Sequence, residues 1–200
     1  MSRRIHAGAG AMTLEGREQW EVRHREAAAG TPEPSLLEML PLLAHGLTLD
    51  VAAGRGRHAL ALARSGFCVI AADYAKDAMR LLRDVAMAEH LPIMPAVVDL
   101  EDGFSFRAGV FDTIVNVNFL HRALVPRLKS ALRMGGMLFF ETFLLDQAAI
   151  GHPRDPHFLL RRYELREMLS DMELIRYREG LTVYSTEKQA WRATAVARRR

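Results

Sequence analysis

Cysteine is almost absent from this 200-residue chain, Cys68 being the only one. An internal disulfide is excluded, and a reducing, cytoplasmic setting is the simplest expectation. Cys68 stands in the apolar run Phe67–Ala72. It reads as a small core residue, because a catalytic thiol needs an exposed, electropositive pocket. No apolar run approaches the roughly 20 residues of a membrane span, so no membrane association is expected. Metal-ligand spacing is missing too. His152 and His157 share one loop, but no further Cys, His or carboxylate completes a set, and no metal is expected. Residues 1–12 are basic and rich in Ala and Gly but lack the apolar stretch of a secretory signal, and read as a disordered terminus. An excess of one charge is also lacking: 27 Lys and Arg against 24 Asp and Glu leave a formal net charge of +3. Arg3, Arg4 and Arg198–Arg200 read as solvated tails. No basic residues interleave with aromatics elsewhere, so nucleic acid is not an expected partner.

What is present is an ordinary globular composition, half hydrophobic and 26% charged, in a length that fits one domain over residues 13–200. A helical run from Leu14 to Ala29 is anchored by Trp20. Pro32 and Pro34 separate it from a second, Ser35–Ala44, in which Leu36, Leu37, Leu40 and Leu43 recur at helical spacing. Pro41 should kink or shorten that helix. Strands and helices then alternate: strand Leu47–Ala52, helix Arg57–Arg64, strand Phe67–Ala72, helix Ala75–Glu89, strand Ile93–Val98, strand Val110–Val117, helix Leu124–Arg133 and strand Met137–Phe143. Met79, Leu82, Val85 and Ala86 form one face of the long helix, and Gly135-Gly136 is expected to stop the last one. This alternation predicts an α/β fold with a mostly parallel, doubly wound sheet. The end differs. After a helix at Tyr163–Ser170, two strands, Glu173–Glu179 and Trp191–Ala197, follow each other across a polar connection, Tyr184–Gln189, and predict an antiparallel hairpin.

The stretch Leu47–Ala59 joins a strand to a helix through Gly54-Arg55-Gly56. Glycines there let backbone N–H groups approach a nucleotide-like ligand. Gly54-x-Gly56-x-x-Ala59 also matches the dinucleotide fingerprint, so two cofactors compete. Asp50, at the strand's end, is poorly placed beside a pyrophosphate. It is well placed for the α-ammonium or sulfonium of S-adenosylmethionine, although Arg55 and Arg57 argue the other way. Asp73 ends the next strand and could accept from both hydroxyls of a ribose. Asp99 follows the third, where it could accept from an adenine amino group while Leu100 packs on the ring. Each acid alone could be a cap or loop residue. Three at the carboxyl ends of successive strands share one crevice.

The segments Leu49-Asp-Val-Ala-Ala-Gly-Arg-Gly-Arg-His58, Ala71-Ala-Asp-Tyr74 and Val98-Asp-Leu-Glu101 resemble the successive cofactor motifs of class I S-adenosylmethionine-dependent methyltransferases. Phe111-Asp-Thr-Ile-Val115 and Leu132-Arg-Met-Gly-Gly136 are similar to the later motif pair. The Gly-Arg-Gly-Arg-His form and Asn118-Phe-Leu-His-Arg122 look most like small bacterial tellurite-resistance-type methyltransferases. The resemblance implies a Rossmann-like seven-stranded sheet of order 3-2-1-4-5-7-6 with its last strand antiparallel and helices on both faces. It implies S-adenosylmethionine as cofactor, held by Asp50, Ala52, Gly54, Gly56, Asp73, Tyr74, Asp99, Leu100 and Asn116. Two departures, Ala53 for a frequent Cys and Met134 for a frequent Pro, should not affect binding.

Methyl transfer from a sulfonium is an in-line displacement in which the protein mainly aligns the nucleophile, so no catalytic dyad is required. The rim segment Asn116–Arg122 offers His121 as a base or orienting group and Arg122 as a holder of an anion. Equally, His121 could cap the following helix and Arg122 form a structural ion pair. His58 reads as a local packing residue. Glu141 is a further candidate for the site, and Arg23 for the cofactor's carboxylate. His157 lies in Gly151–Leu160, a loop too polar for core and placed where this superfamily puts substrate contacts. The expected acceptor is a small molecule of unspecified identity, and oligomeric state is not legible. An NAD-type oxidoreductase and a non-catalytic cofactor-binding protein are the alternatives.

Overall fold

The computed structural model describes residues 30–102, 106–185 and 188–200. The expected disordered terminus, the first helix and its Trp20 and Arg23 lie outside the described residues. The described elements, in order, are α1 (Pro34–Met39), β1 (Leu47–Val51), α2 (Arg57–Arg64), β2 (Cys68–Asp73), α3 (Lys76–Ala88), β3 (Ile93–Val97), β4 (Phe111–Val117), α4 (Val125–Ala131), β5 (Leu132–Phe143), α5 (Glu164–Met168), β6 (Glu173–Ser185) and β7 (Lys188–Arg198). Short 3-10 turns punctuate them, among them Leu40–Leu42 after α1. Pro41 sits in that turn and ends the α-helical pattern early, as its missing N–H requires.

The strands form one sheet of order β3-β2-β1-β4-β5-β7-β6. β1 to β5 run parallel, and β7 is antiparallel to both β5 and β6. The expected topology is the observed one. β4 (F-D-T-I-V-N-V) is buried at every position, as a central strand covered on both faces must be. β3 at the edge leaves Met94 and Val97 exposed and tolerates Pro95, whose missing donor costs nothing on an unpaired side. Helices cover both faces. Leu36, Leu62, Met79 and Leu82 pack over Val115, Val117 and Phe139 on one, while Leu124, Leu128, Leu165 and Leu169 pack over Ile114, Leu138 and Phe140 on the other. Phe139 and Phe140 thus serve opposite cores, as the two-residue side-chain period of a strand dictates.

Several expectations are corrected. Cys68 is exposed. It is the first residue of β2 and points away from the face that buries Phe67 and Val69. Val85 lies on the open flank of α3, whose buried stripe is Ala78, Met79, Leu82 and Ala86. Of the C-terminal arginines, Arg198 and Arg200 are exposed, Arg198 pairing with Glu173 at 3.2 Å, whereas Arg199 is half-buried and donates to the carbonyls of Ser130 and Leu132. Gly135-Gly136 does not separate helix from strand. α4 stops at Ala131 and β5 begins at once, its register against β4 shifting between Phe111 and Thr113. The glycines form the resulting bulge. Gly135 has φ +77, and a Cβ on Gly136 would meet the Arg133 carbonyl at 2.9 Å. The hairpin is longer than its apolar pattern. Pairing continues to Ser185 and Lys188, so most of the stretch read as a polar connection is strand.

Candidate functional site

The strand order reverses between β1, whose successors run toward β3, and β4 on its other side, which places a crevice at the carboxyl ends of these two strands. The chain leaves β1 through Ala52, a non-glycine residue in the left-handed region at φ +52, and turns through Gly54 (φ +55) and Gly56 (φ +79) into α2. A Cβ on Gly56 would stand 2.4 Å from the Leu82 side chain, so glycine is required there by space as well as by backbone angle. Asp73, at the end of β2, fastens this loop. Its Oδ2 accepts from the Gly54 N–H at 2.8 Å and its Oδ1 from the Ala75 N–H at 2.9 Å.

Asp50 is the anomalous group. It is 1% exposed, and neither carboxylate oxygen has a hydrogen-bond partner. Burial pushes its pKa up to about 7, with the Asp73 charge adding to the rise. The Ala59 backbone N–H and the Arg57 guanidinium pull the other way, but neither makes a hydrogen bond of ordinary geometry. A buried carboxylate without a partner is costly. A cation delivered to it would relieve that cost. Asp99 accepts from the Glu101 N–H at 3.0 Å, Leu100 is buried behind it, and Tyr74 is half-buried at the start of the neighbouring loop. Asn116, on β4 opposite Val51, donates to the Phe119 carbonyl at 2.8 Å and so shapes the rim.

The remaining expected residues are distributed differently. Arg122 is committed to Glu164, with Nε 2.6 Å from Oε1, and donates to the carbonyls of His157 and Leu159. It therefore tethers the loop before α5 rather than presenting a vacant cation. Burial alone would raise Glu164, but the hydrogen bonds from Arg122 and the Arg161 backbone outweigh it and leave its pKa below the usual carboxylate value. His157 is exposed, its Nδ1 2.9 Å from Asp155 Oδ1. His121 is half-buried, and its carbonyl accepts from the Leu124 N–H at the start of the turn before α4. His58 is buried and its pKa falls to about 3, first through burial and then through Arg57 and Arg192. It is a neutral acceptor for the Glu33 N–H at 3.4 Å. Among the described residues no three His, Cys, Asp or Glu side chains gather as metal ligands.

A polar network that sequence reading missed, except for Glu141, lies beside this crevice. Arg192, inside β7 and 6% exposed, donates to Glu141 Oε1 at 2.8 Å, to Asn118 Oδ1 at 2.8 Å and to Glu33 Oε1 at 3.3 Å. Glu141 accepts from Thr194 at 2.6 Å, and Arg57 donates to Glu33 at 3.0 Å. The guanidinium lies 4.3 Å from the Phe143 ring centroid. One signal was available: Arg192 is a lone charge in the run Trp191–Ala197, and it shares a core face with Thr194 and Val196.

Residues 48–136 match the family model described as a methyltransferase domain. Hemagglutinin 1 of Eikenella corrodens is 27% identical over 176 residues, covering 83% of this chain and 57% of that protein. The chain therefore spans little more than half the length of that relative. Among solved structures, TehB from Haemophilus influenzae superposes with a TM-score of 0.73 at 21% identity, covering 84% of this chain and 63% of that one. A SAM-dependent methyltransferase from Methanosarcina mazei superposes with a TM-score of 0.66 at 19% identity, covering 85% and 99%. These likenesses identify the fold as the one SAM-dependent methyltransferases use.

Proposed function

We propose that this chain, whose residues 48–136 match a methyltransferase-domain model, binds S-adenosylmethionine at the β1–α2 loop and methylates a small-molecule acceptor. The carrying observation is Asp50: a buried carboxylate with both oxygens unpartnered, at the end of β1 and beside a glycine turn. That environment suits a ligand bearing positive charge and repels a pyrophosphate, which disfavours the dinucleotide reading of the same glycines. When bound, the cofactor supplies a sulfonium-activated methyl group for in-line displacement.

The chain's own part is positioning. Asp50 would face the cationic end of the ligand. Gly54 and Gly56 let the backbone approach it. Asp73 holds that loop against β2 and keeps a lone pair on each oxygen for a ribose hydroxyl. Asp99, Leu100 and Tyr74 would bound the adenine, and Asn116 holds the rim through its bond to the Phe119 carbonyl. His121, half-buried after β4, is retained as a candidate base for an acceptor that is protonated at working pH. His157 stays a candidate acceptor contact in the exposed loop before α5.

No helix among the described residues is long and apolar enough to cross a membrane. A cytoplasmic, bacterial protein with one domain over residues 13–200 is consistent with the domain match and with a single sheet that gathers the described strands. Isothermal titration with S-adenosylmethionine, S-adenosylhomocysteine and NAD tests the cofactor. Binding of the first two is expected, whereas tight NAD binding with neither of them would defeat the reading. A metabolite screen for S-adenosylhomocysteine release then reports the acceptor.

A further inference from the structure

Two non-glycine residues adopt left-handed backbone angles at the carboxyl ends of the two strands that flank the crevice. Ala52 (φ +52) carries the chain from β1 into the glycine loop, and Asn118 (φ +59) carries it out of β4. Such conformations persist where the surroundings over-determine them, and they concentrate at functional sites. Asn118 is held from three sides. Its backbone N–H donates to the Glu141 carbonyl at 2.9 Å, its Oδ1 accepts from Arg192 at 2.8 Å, and its Nδ2 lies 3.5 Å from Glu33 Oε1. Despite these ties it is exposed, although the strand residues before it are buried. An amide has two donor hydrogens and two acceptor lone pairs. These contacts use one of each, and one of each remains.

We propose that Asn118 seats the methyl acceptor, which it engages as an uncharged hydrogen-bonding group, and that Arg192 is the positioning residue that orients the Asn118 amide. This rests on the methyl-transfer reading above and adds the acceptor's chemical class. Three guanidinium groups among the described residues here are matched by carboxylates: Arg57 by Glu33, Arg192 by Glu33 and Glu141, and Arg122 by Glu164. The exposed group at the end of β4 with hydrogen-bonding capacity left over is the neutral Asn118 amide. It can accept from an S–H or O–H and donate back to the same atom, which suits a thiol or hydroxyl better than an oxyanion. For a thiol, its sulfur forms the new bond to the methyl carbon as the carbon–sulfonium bond breaks. That electron pair stays on the donor's sulfur, and the thiol proton passes to water.

The test uses the full chain. S-Adenosylhomocysteine binding is measured by calorimetry. Its release is then followed with 2-mercaptoethanol and benzyl mercaptan as uncharged acceptors and with sodium selenite and tellurite as anionic ones. Turnover of the thiols in preference to the oxyanions is expected. Asn118→Gly removes the amide while suiting the backbone angle. It should fold, bind S-adenosylhomocysteine as the unaltered protein does, and raise the thiol KM roughly tenfold with a smaller change in kcat. Saturation-transfer NMR of benzyl methyl sulfide on protein loaded with S-adenosylhomocysteine should weaken in the same variant, a readout independent of turnover. Arg192→Lys, which keeps the charge but not the fork, should raise KM in the same direction. Preference for selenite or tellurite, turnover of neither thiol by protein that binds S-adenosylhomocysteine, or an unchanged thiol KM in Asn118→Gly would each overturn the proposal. Failure to bind S-adenosylhomocysteine at all would instead remove the methyl-transfer reading beneath it.

Discussion

Replacing Asp50 by Asn should make the free protein more stable and its cofactor binding worse, and both effects should depend on pH. The carboxyl is buried without a partner, and burial raises its pKa from 3.8 to about 7. With its pKa raised on folding, Asp50 destabilises the native state as pH climbs toward 7, and the full penalty stands above it. A shift of about three units corresponds to a ceiling of about 4 kcal/mol. Asn cannot ionise. At pH 8 the variant should therefore gain up to that amount, roughly 2–4 °C in Tm for each kcal/mol at this chain length. Near pH 4 the two proteins should melt together. Cofactor binding runs the opposite way. A cationic ligand needs ionised Asp50, so below pH 7 the affinity of the unaltered protein should drop about tenfold per unit, or about 100-fold by pH 5. Binding at pH 6 should release close to one proton, measurable by titration calorimetry in buffers of different ionisation enthalpy. Asp50→Asn should bind more weakly at pH 8 and release none. If the variant gains no stability at pH 8, or still shows the pH-dependent affinity, Asp50 is not the group that meets the ligand's charge.

Gly56→Ala should lower stability by at least about 2 kcal/mol, since it adds a left-handed penalty to an overlap with Leu82, and a chemical denaturation midpoint would report it. Asp73→Ala loses both backbone tethers of the loop and should weaken S-adenosylhomocysteine binding on the order of 100-fold, while His121→Ala leaves it nearly unchanged; equal losses in calorimetry would mean the geometry is misread. Glu164→Gln should cost about 1 kcal/mol through the weakened Arg122 pair. Because Glu164 has a depressed pKa, its contribution in the unaltered protein is present above the ordinary value near 4.5 and lost as pH falls through the lower one, so thermal melts of the two proteins should converge in acid.

How much of this was legible in the sequence depended on the range of the interaction. α2 falls on Arg57–Arg64 as read, because the alternation of strand and helix is written locally, whereas the sheet order that matches was implied by the resemblance to the methyltransferase motifs and not by periodicity. Asp50, Asp73 and Asp99 stand at or just past the carboxyl ends of successive strands, as read, because strand positions are local and strand ends converge by topology. Cys68 was misjudged because an apolar neighbourhood in sequence says nothing of which face a strand's first residue takes. Gly135-Gly136 was misjudged because the same dipeptide serves a stop or a bulge, and only the register shift against Phe111 and Thr113 selects the bulge.

The polar network beside the crevice is a different case. Glu33 and Arg192 stand 159 residues apart, so no window along the chain contains the pair. What the sequence does contain is the cost: a guanidinium in an apolar strand and a glutamate after Phe139-Phe140 are both unfavourable unless each supplies the other's partner. A hydrophobic pair of similar volume on the same face would stabilise the sheet as well or better, so packing alone gives no reason for these charges. Their effect is directional. A fork donating to Glu33, Glu141 and Asn118 fixes the angle of one exposed amide at the end of β4. An apolar replacement could fill the volume but could not orient that amide. Arg192→Lys, which leaves Glu141 and Glu33 a cation but loses the fork, should thus keep the fold and S-adenosylhomocysteine binding while raising the acceptor KM as Asn118→Gly does, and the two substitutions combined should raise it no further than either alone.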